Sequence, residues 1–307
     1  MKNYKVVVTG GTGLVGKYLK SIIPEAVYLG SSDCDLTDAA QVREMLKCHE
    51  PDAVIHLAAR VGGILDNMKY PVEYLEENIL MNTNLLKECH LSGVKKVIAV
   101  LSTCIYPDKV TNYPMSEEDL FLGPPTPTNF SYGFAKRCMA AQIDAYNTQH
   151  NKGWSYLIPC NLYGEHDKYT EHNSHFVASL IKKIHDASDE VVLWGSGKPL
   201  RQYMHGEDFA KIIKIMLTSS ANGCFNVAPS QVYSIDEIAN LAKNSCGKEN
   251  INFIYDSLKP DGQYRKDVDS SKLLKEIGDF KFQELGQGIK ATYDKVKGKY
   301  PLFRENK

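Results

Sequence analysis

The chain has 307 residues, 43% of them hydrophobic and 24% charged, with a formal net charge of −1. That length can bury a substantial core in one large or two modest domains, and the balance excludes a disordered chain. Near-zero charge leaves no global basic field for nucleic acid or an anionic membrane, and no stretch approaches the roughly 20 apolar residues of a membrane span.

The first apolar run, Val6–Val8, is too short for a signal-peptide core, so a cytoplasmic protein is expected. Lys5–Val8 reads as a strand, Leu14–Ile23 as a helix, Ala26–Leu29 as a strand, Ala39–Cys48 as a helix and Ala53–Leu57 as a strand. A long helix over Tyr74–His90 precedes a strand at Lys96–Leu101, and a second over Tyr132–Gln149 precedes a strand at Ser155–Pro159. Strands alternating with helices predict a Rossmann-type, doubly wound α/β fold with a parallel sheet covered on both faces. After Tyr163 loops lengthen, and the pattern becomes that of a smaller, interleaved C-terminal lobe, with Cys224–Val227 as a strand returning to the main sheet. The division expected is residues 1–163 with about 202–228 for the dinucleotide, and 164–201 with 229–307 for the substrate. The eight cysteines are scattered, with no C-x-x-C pair, so neither a disulfide framework nor a metal site is expected.

Residues 9–16 read T-G-G-T-G-L-V-G directly after the first strand. Gly10, Gly13 and Gly16 suit a tight strand-to-helix turn that must approach a pyrophosphate closely, while the helix start at Leu14 and Val15 offers unpaired N–H groups. The ribose partner is open. Asp33 favours a free 2′-hydroxyl and NAD; Ser31 and Ser32 favour a 2′-phosphate and NADP. Asp35 and Leu36 either touch adenine or, for Asp35, cap the next helix.

Tyr132 and Lys136 stand four apart, on one helical face. An ammonium beside a phenol favours phenolate, so the pKa of Tyr132 is expected to fall. Thirty residues earlier, Ser102 falls at the end of a strand, where open α/β sheets place their ligands, and can hold a carbonyl beside the phenol.

These features, with H-L-A-A-R-V-G-G at 56–63, S-T-C-I-Y-P at 102–107, N-L-Y-G-E-H-D at 161–167, N-S-H at 173–175, W-G-S-G-K-P-L-R at 194–201 and K-P-D-G-Q-Y-R-K at 259–266, resemble the extended short-chain dehydrogenase/reductases, in particular their GDP-L-fucose synthase branch. The resemblance spans nearly the whole chain. It implies reduction at C4 of a GDP-linked 4-keto-6-deoxy sugar, with 3,5-epimerisation, by a homodimer using NADP(H), with NAD(H) not excluded. Tyr132 would be the acid, Ser102 would polarise the carbonyl, Lys136 would bind the nicotinamide ribose, and Cys104 and His175 would be the epimerisation pair. Thr12, Leu57, Ala58, Ala59 and His175 would lie against the coenzyme, and Asn161, Lys183, Trp194, Arg201 and Lys266 against the sugar nucleotide. The family often carries arginine where Thr12 stands, and an arginine where Lys183 stands. The alternatives are a dedicated reductase of a GDP-4-keto-6-deoxyheptose, and a non-catalytic coenzyme sensor. In the family the two long helices form the dimer interface; here Ile79, Leu86, Met139 and Ile143 could serve it or face their own core.

Overall fold

The computed structural model describes residues 4–169, 174–259 and 261–299. Asn173 of the N-S-H motif, the neighbouring His172 and Pro260 of K-P-D-G lie outside the described residues.

In chain order the first half runs β1 (Val6–Thr9), α1 (Leu14–Ile22), β2 (Val27–Leu29), α2 (Ala39–His49), β3 (Ala53–His56), α3 (Ile64–Lys69), α4 (Pro71–Leu91), β4 (Lys96–Val100), α5 (Phe130–His150) and β5 (Ser155–Pro159). The second half runs β6 (Asn161–Tyr163), α6 (Phe176–Asp186), β7 (Glu190–Trp194), β8 (Leu200–Arg201), β9 (Tyr203–His205), α7 (Gly206–Thr218), β10 (Gly223–Val227), β11 (Tyr233–Ser234), α8 (Ile235–Ser245), β12 (Asn252–Asp256), α9 (Ser271–Ile277) and α10 (Leu285–Val296).

Six strands make one parallel sheet in the order β10-β5-β4-β3-β1-β2. The fold is the α/β, Rossmann-like one expected, and the strand at 224–227 returns to it beside β5. β1, β3 and β5 are buried throughout, which is why they read as unbroken apolar runs rather than alternating ones. The chain turns to opposite sides of β1 to add β2 and then β3, so a crevice opens beyond Thr9 and His56, where ligands bind in such sheets.

Two helices differ from their expected limits. α4 starts at Pro71, which tolerates a first-turn position because no amide is needed there. α5 begins at Phe130 and ends at His150, followed by Asn151, which adopts a left-handed conformation with φ of 49°. Six-residue α3 carries too little periodicity to be read from sequence.

Two hydrophobic cores form. One surrounds the main sheet and takes in Val268 and Leu273 from late in the chain. The other joins α6, β7, α8 and α10 through Leu180, Ile184, Val191, Ile238 and Ile289. Leu86, Met139 and Ile143 are fully buried in the first core, so they face their own chain, and Ile79 is half-buried. Among the described residues, no helix is long and apolar enough to cross a membrane.

Candidate active site

The glycine turn closes on the crevice. Gly10 has a φ of +71°, and a side chain there would reach 2.6 Å from the Ala58 amide nitrogen. A Cβ on Gly16 would lie 2.4 Å from the Gly11 carbonyl oxygen. Both positions therefore demand glycine, one for its backbone angle and one for close packing. Exposed Gly13 opens α1 with no side chain capping the helix, and the first turn holds no acidic residue. The donors at Leu14 and Val15 and the positive end of the helix fit a pyrophosphate. Leu57, Ala58 and Ala59, half-buried after β3, form the opposite side, tied to the turn by Leu57 N–H donating to Thr9 O at 3.0 Å.

Beyond β2, Ser31, Ser32 and Asp33 are exposed. Asp33 already accepts the Gly30 amide at 2.7 Å. Thr12 is exposed beside the same glycine, whose Cβ would lie 2.9 Å from its methyl group. Asp35 is not the cap of α2. It accepts from the amide and hydroxyl of Thr37, while Asp38 caps the helix through Ala40 and Gln41. Leu36 is buried in the main core.

The residues expected to act as acid and base gather at the end of β4 and the start of α5. Ser102 begins a single 3₁₀ turn, and its hydroxyl accepts the Cys104 amide at 3.3 Å. Tyr132 is buried in the first turn of α5, with Lys136 one turn on. The expected fall in the Tyr132 pKa is not found. Burial pushes it up, and nearby Cys104 and Tyr74 push it the same way. Lys136 donates to the Val100 carbonyl at 2.9 Å, and burial pushes its own pKa down to about 7. A lysine whose charge is disfavoured by burial and whose amine is turned to a backbone carbonyl gives a phenolate little support.

Cys104 receives the Lys266 ammonium, whose nitrogen lies 3.6 Å from the sulfur. Burial raises the thiol pKa, but Lys266, Ser102 and Arg201 together outweigh it, leaving it below the usual value. His175 precedes α6, and its Nδ1 is 3.0 Å from Asp167 Oδ1. That bond raises the imidazole pKa, with a smaller contribution from Cys104. Arg201, on β8, donates to the carbonyls of Leu200 and Tyr264 at 2.7 and 3.4 Å, and loss of hydration lowers its pKa. The sequence motifs thus converge on one group of Ser102, Cys104, Tyr132, Lys136, His175, Arg201 and Lys266.

Three expected sugar contacts are joined to other parts of the chain. Asn161 donates to the Gln202 carbonyl at 2.9 Å. Exposed Lys183 donates to Val192 O on β7 at 2.9 Å. Trp194 is half-exposed at the end of β7, with the Lys259 ammonium 5.4 Å from its ring.

Several supporting residues escaped the sequence reading. Arg137 donates from Nε to Ile105 O at 2.9 Å and from Nη1 to Gly123 O at 2.7 Å, clamping the 102–107 turn to α5. Gly133 lets α5 approach, since a Cβ there would meet the Cys104 carbonyl oxygen at 2.5 Å. Glu165 accepts from Tyr18 of α1 and, at 2.5 Å, from Lys295 of α10, with His205 Nε2 3.6 Å away. Asp167, two residues on, orients His175. The Y-x-x-x-K spacing hints at Gly133 and Arg137 only by adjacency.

A glycine cradle at a strand-order switch, with a buried phenol, lysine and serine beside it, defines an NAD(P)-dependent oxidoreductase site. The chain belongs to the NAD dependent epimerase/dehydratase family, whose model matches residues 6–228, and within it to the extended short-chain dehydrogenase/reductases. It is 38% identical to a GDP-L-fucose synthase of Dictyostelium discoideum, over 94% of this chain and 93% of that protein. It is 36% identical to a probable GDP-L-fucose synthase of Drosophila melanogaster, over 94% and 95% of the two chains. The crystal structure of a GDP-L-fucose synthetase from Naegleria fowleri bound to NADP superposes with a TM-score of 0.90 at 34% identity, covering 99% of this chain and 96% of that one.

Proposed function

We propose that the chain exchanges protons at C3 and C5 of a GDP-linked 4-keto-6-deoxy sugar and then reduces the C4 ketone, using NADPH. The observation that carries this reading is the pairing of Cys104 with Lys266 beside the Ser102–Tyr132 set, because a simple carbonyl reductase needs no activated thiol. Asp167–His175 supplies a second proton-transfer group.

The C4 ketone acidifies the hydrogens at C3 and C5. Cys104, whose ionisation Lys266 assists, removes a proton to give an enolate, and His175, whose proton Asp167 helps to hold, returns one to the opposite face. Reduced nicotinamide, when bound, supplies a hydride to C4. Ser102 donates a hydrogen bond to the ketone oxygen, and Tyr132, held as a phenol by burial, gives that oxygen its proton. Lys136 would hold the nicotinamide ribose through donors other than the one given to Val100, and Arg201 suits a diphosphate through its planar fork. NADPH is preferred in this reading because Asp33 is engaged by the Gly30 amide, leaving Ser31 and Ser32 exposed for a 2′-phosphate. The sugar nucleotide falls to residues 164–201 and 229–307. A homodimer would use the outer faces of α4 and α5, where Leu80 and Phe134 remain exposed.

The test is incubation with GDP-4-keto-6-deoxymannose and NADPH in deuterated water, with NMR of the product. Deuterium at C3 and C5 with a reduced C4 is expected. A reduced C4 without deuterium marks a dedicated 4-reductase, and no reduction with NADPH, or with NADH in a parallel incubation, overturns the reading.

A further inference from the structure

Tyr132 is held from the side by a second tyrosine that neither glycine turn nor Y-x-x-x-K pair explains. Tyr74, on α4, is 1% exposed, and its ring meets that of Tyr132 edge-on, 6.4 Å between centroids at 82°. Its hydroxyl donates to Asp66 Oδ2 of α3 at 2.5 Å. The backbone is shaped to this pair. A Cβ on Gly62 would lie 2.2 Å from the Tyr74 hydroxyl and 2.8 Å from Asp66 Oδ2. The 62–63 turn is fixed in turn by Asn67, whose side chain donates to the carbonyls of Gly62 and Gly63 at 3.1 and 3.0 Å. Arg60 places its guanidinium 5.4 Å from the centre of the Tyr74 ring and pairs with Glu77 at 2.6 Å.

We propose that Tyr74, tethered by Asp66, is a positioning residue that fixes the Tyr132 ring for proton transfer. This rests on the reading of Tyr132 as proton donor. The physical need is specific. A phenol in the first turn of a helix can rotate about two side-chain bonds, and Lys136 does not hold it, being bonded to Val100. An edge-on aromatic contact sets one ring against another, but only if the second ring is itself immobile. The Asp66 bond and the Gly62 backbone immobilise Tyr74.

Of the groups around Tyr132, Cys104 and Tyr74 act in one direction and oppose phenolate. Cys104 approaches from the 3₁₀ turn, with Lys266 and Arg201 acting on it, and Lys136 lies on α5 itself. Behind Tyr74 stand Asp66 from α3, and Arg60 with Glu77 as a compensated pair. Asp66 itself is bonded to the Tyr74 hydroxyl and has Lys69 of the same helix within its field.

The experiment compares Tyr74→Phe, Asp66→Asn and Tyr132→Phe with the parent protein in single-turnover oxidation of NADPH by GDP-4-keto-6-deoxymannose across pH. Tyr74→Phe keeps the ring and loses the tether. It is expected to slow the step about ten-fold, leave coenzyme Kd and sugar KM within about two-fold, and move the alkaline limb of the profile to lower pH. Asp66→Asn should do the same to a smaller degree. Rates within about two-fold of the parent with superimposable profiles overturn the proposal, as does a loss that follows a fall in melting temperature and a rise in sugar KM. If Tyr132→Phe turns over normally, the acid role itself falls. If it is inactive while the other two variants behave as the parent, only the positioning role falls.

Discussion

The ammonium of Lys266 stands 3.6 Å from the sulfur of Cys104, which lies 162 positions earlier in the chain. A cation at that distance stabilises thiolate and opposes the burial that would otherwise keep the thiol protonated. The pair joins the last segment before α9 to the turn after β4.

Removing the cation should return Cys104 toward an ordinary or raised thiol pKa. In Lys266→Met, the midpoint of the pH dependence of Cys104 alkylation should move to higher pH, followed by mass spectrometry of the modified peptide. Deuterium incorporation at C3 and C5 should fall in parallel. An unshifted midpoint would show that Ser102 and Arg201 alone set the thiol.

Tyr132→Phe removes the proposed proton donor and little volume. Turnover should fall by about 10²- to 10⁴-fold, the usual worth of a positioned acid, with coenzyme binding by fluorescence titration unchanged. Deuterium exchange at C3 and C5 should survive, since Cys104 and His175 remain.

Lys136 carries a stability penalty whose sign can be worked out. Its native pKa is pushed down to about 7, against about 10.4 for an unfolded lysine. Below pH 7 both states hold the proton, and the native state bears the full burden of a buried charge. Between about 7 and 10.4 only the unfolded state binds it, so stability rises with pH through that window. Coenzyme-free Lys136→Met should therefore melt above the parent at pH 6 and lose that advantage toward pH 10, while being catalytically impaired. An equal difference at both pH values would sink this account.

For His175 the shift runs the other way. Asp167 raises its pKa, so the stabilising contribution is complete below the unfolded histidine value and is lost as pH rises through the native one. In Asp167→Asn, the titration of the His175 ring followed by NMR should move to lower pH, and the pH range of deuterium exchange should narrow with it.

Coenzyme choice can be moved at one exposed position. Thr12→Arg places a guanidinium beside Gly30 and the serines at 31 and 32. NADPH should bind more tightly by about ten-fold, roughly 1.4 kcal/mol, with NADH little changed. A gain shared equally by both coenzymes would mean that the 2′-phosphate lies elsewhere.

Much of the scaffold was legible in the chain, for physical reasons. Parallel strands buried on both faces write continuous runs such as Val6–Val8, and glycines at 10 and 16 are imposed by contacts that no other residue survives. What could not be read is whatever depends on distant partners. Y-x-x-x-K places Lys136 on the face of Tyr132, but not where its ammonium points. It went to Val100, and the expected acidification of the phenol became its opposite. Likewise, nothing local pairs Cys104 with Lys266, or marks which of Asp35 and Asp38 caps α2.

The Glu165 carboxylate gathers Tyr18 from the helix after the glycine turn and Lys295 from the last helix, two residues before the aspartate that steers His175. For protein engineering this means that the halves are not interchangeable cassettes. A chimera that replaces the C-terminal lobe with a foreign one lacking glutamate at position 165 would leave Tyr18 without its carboxylate partner, and would loosen the segment that carries Asp167 to His175.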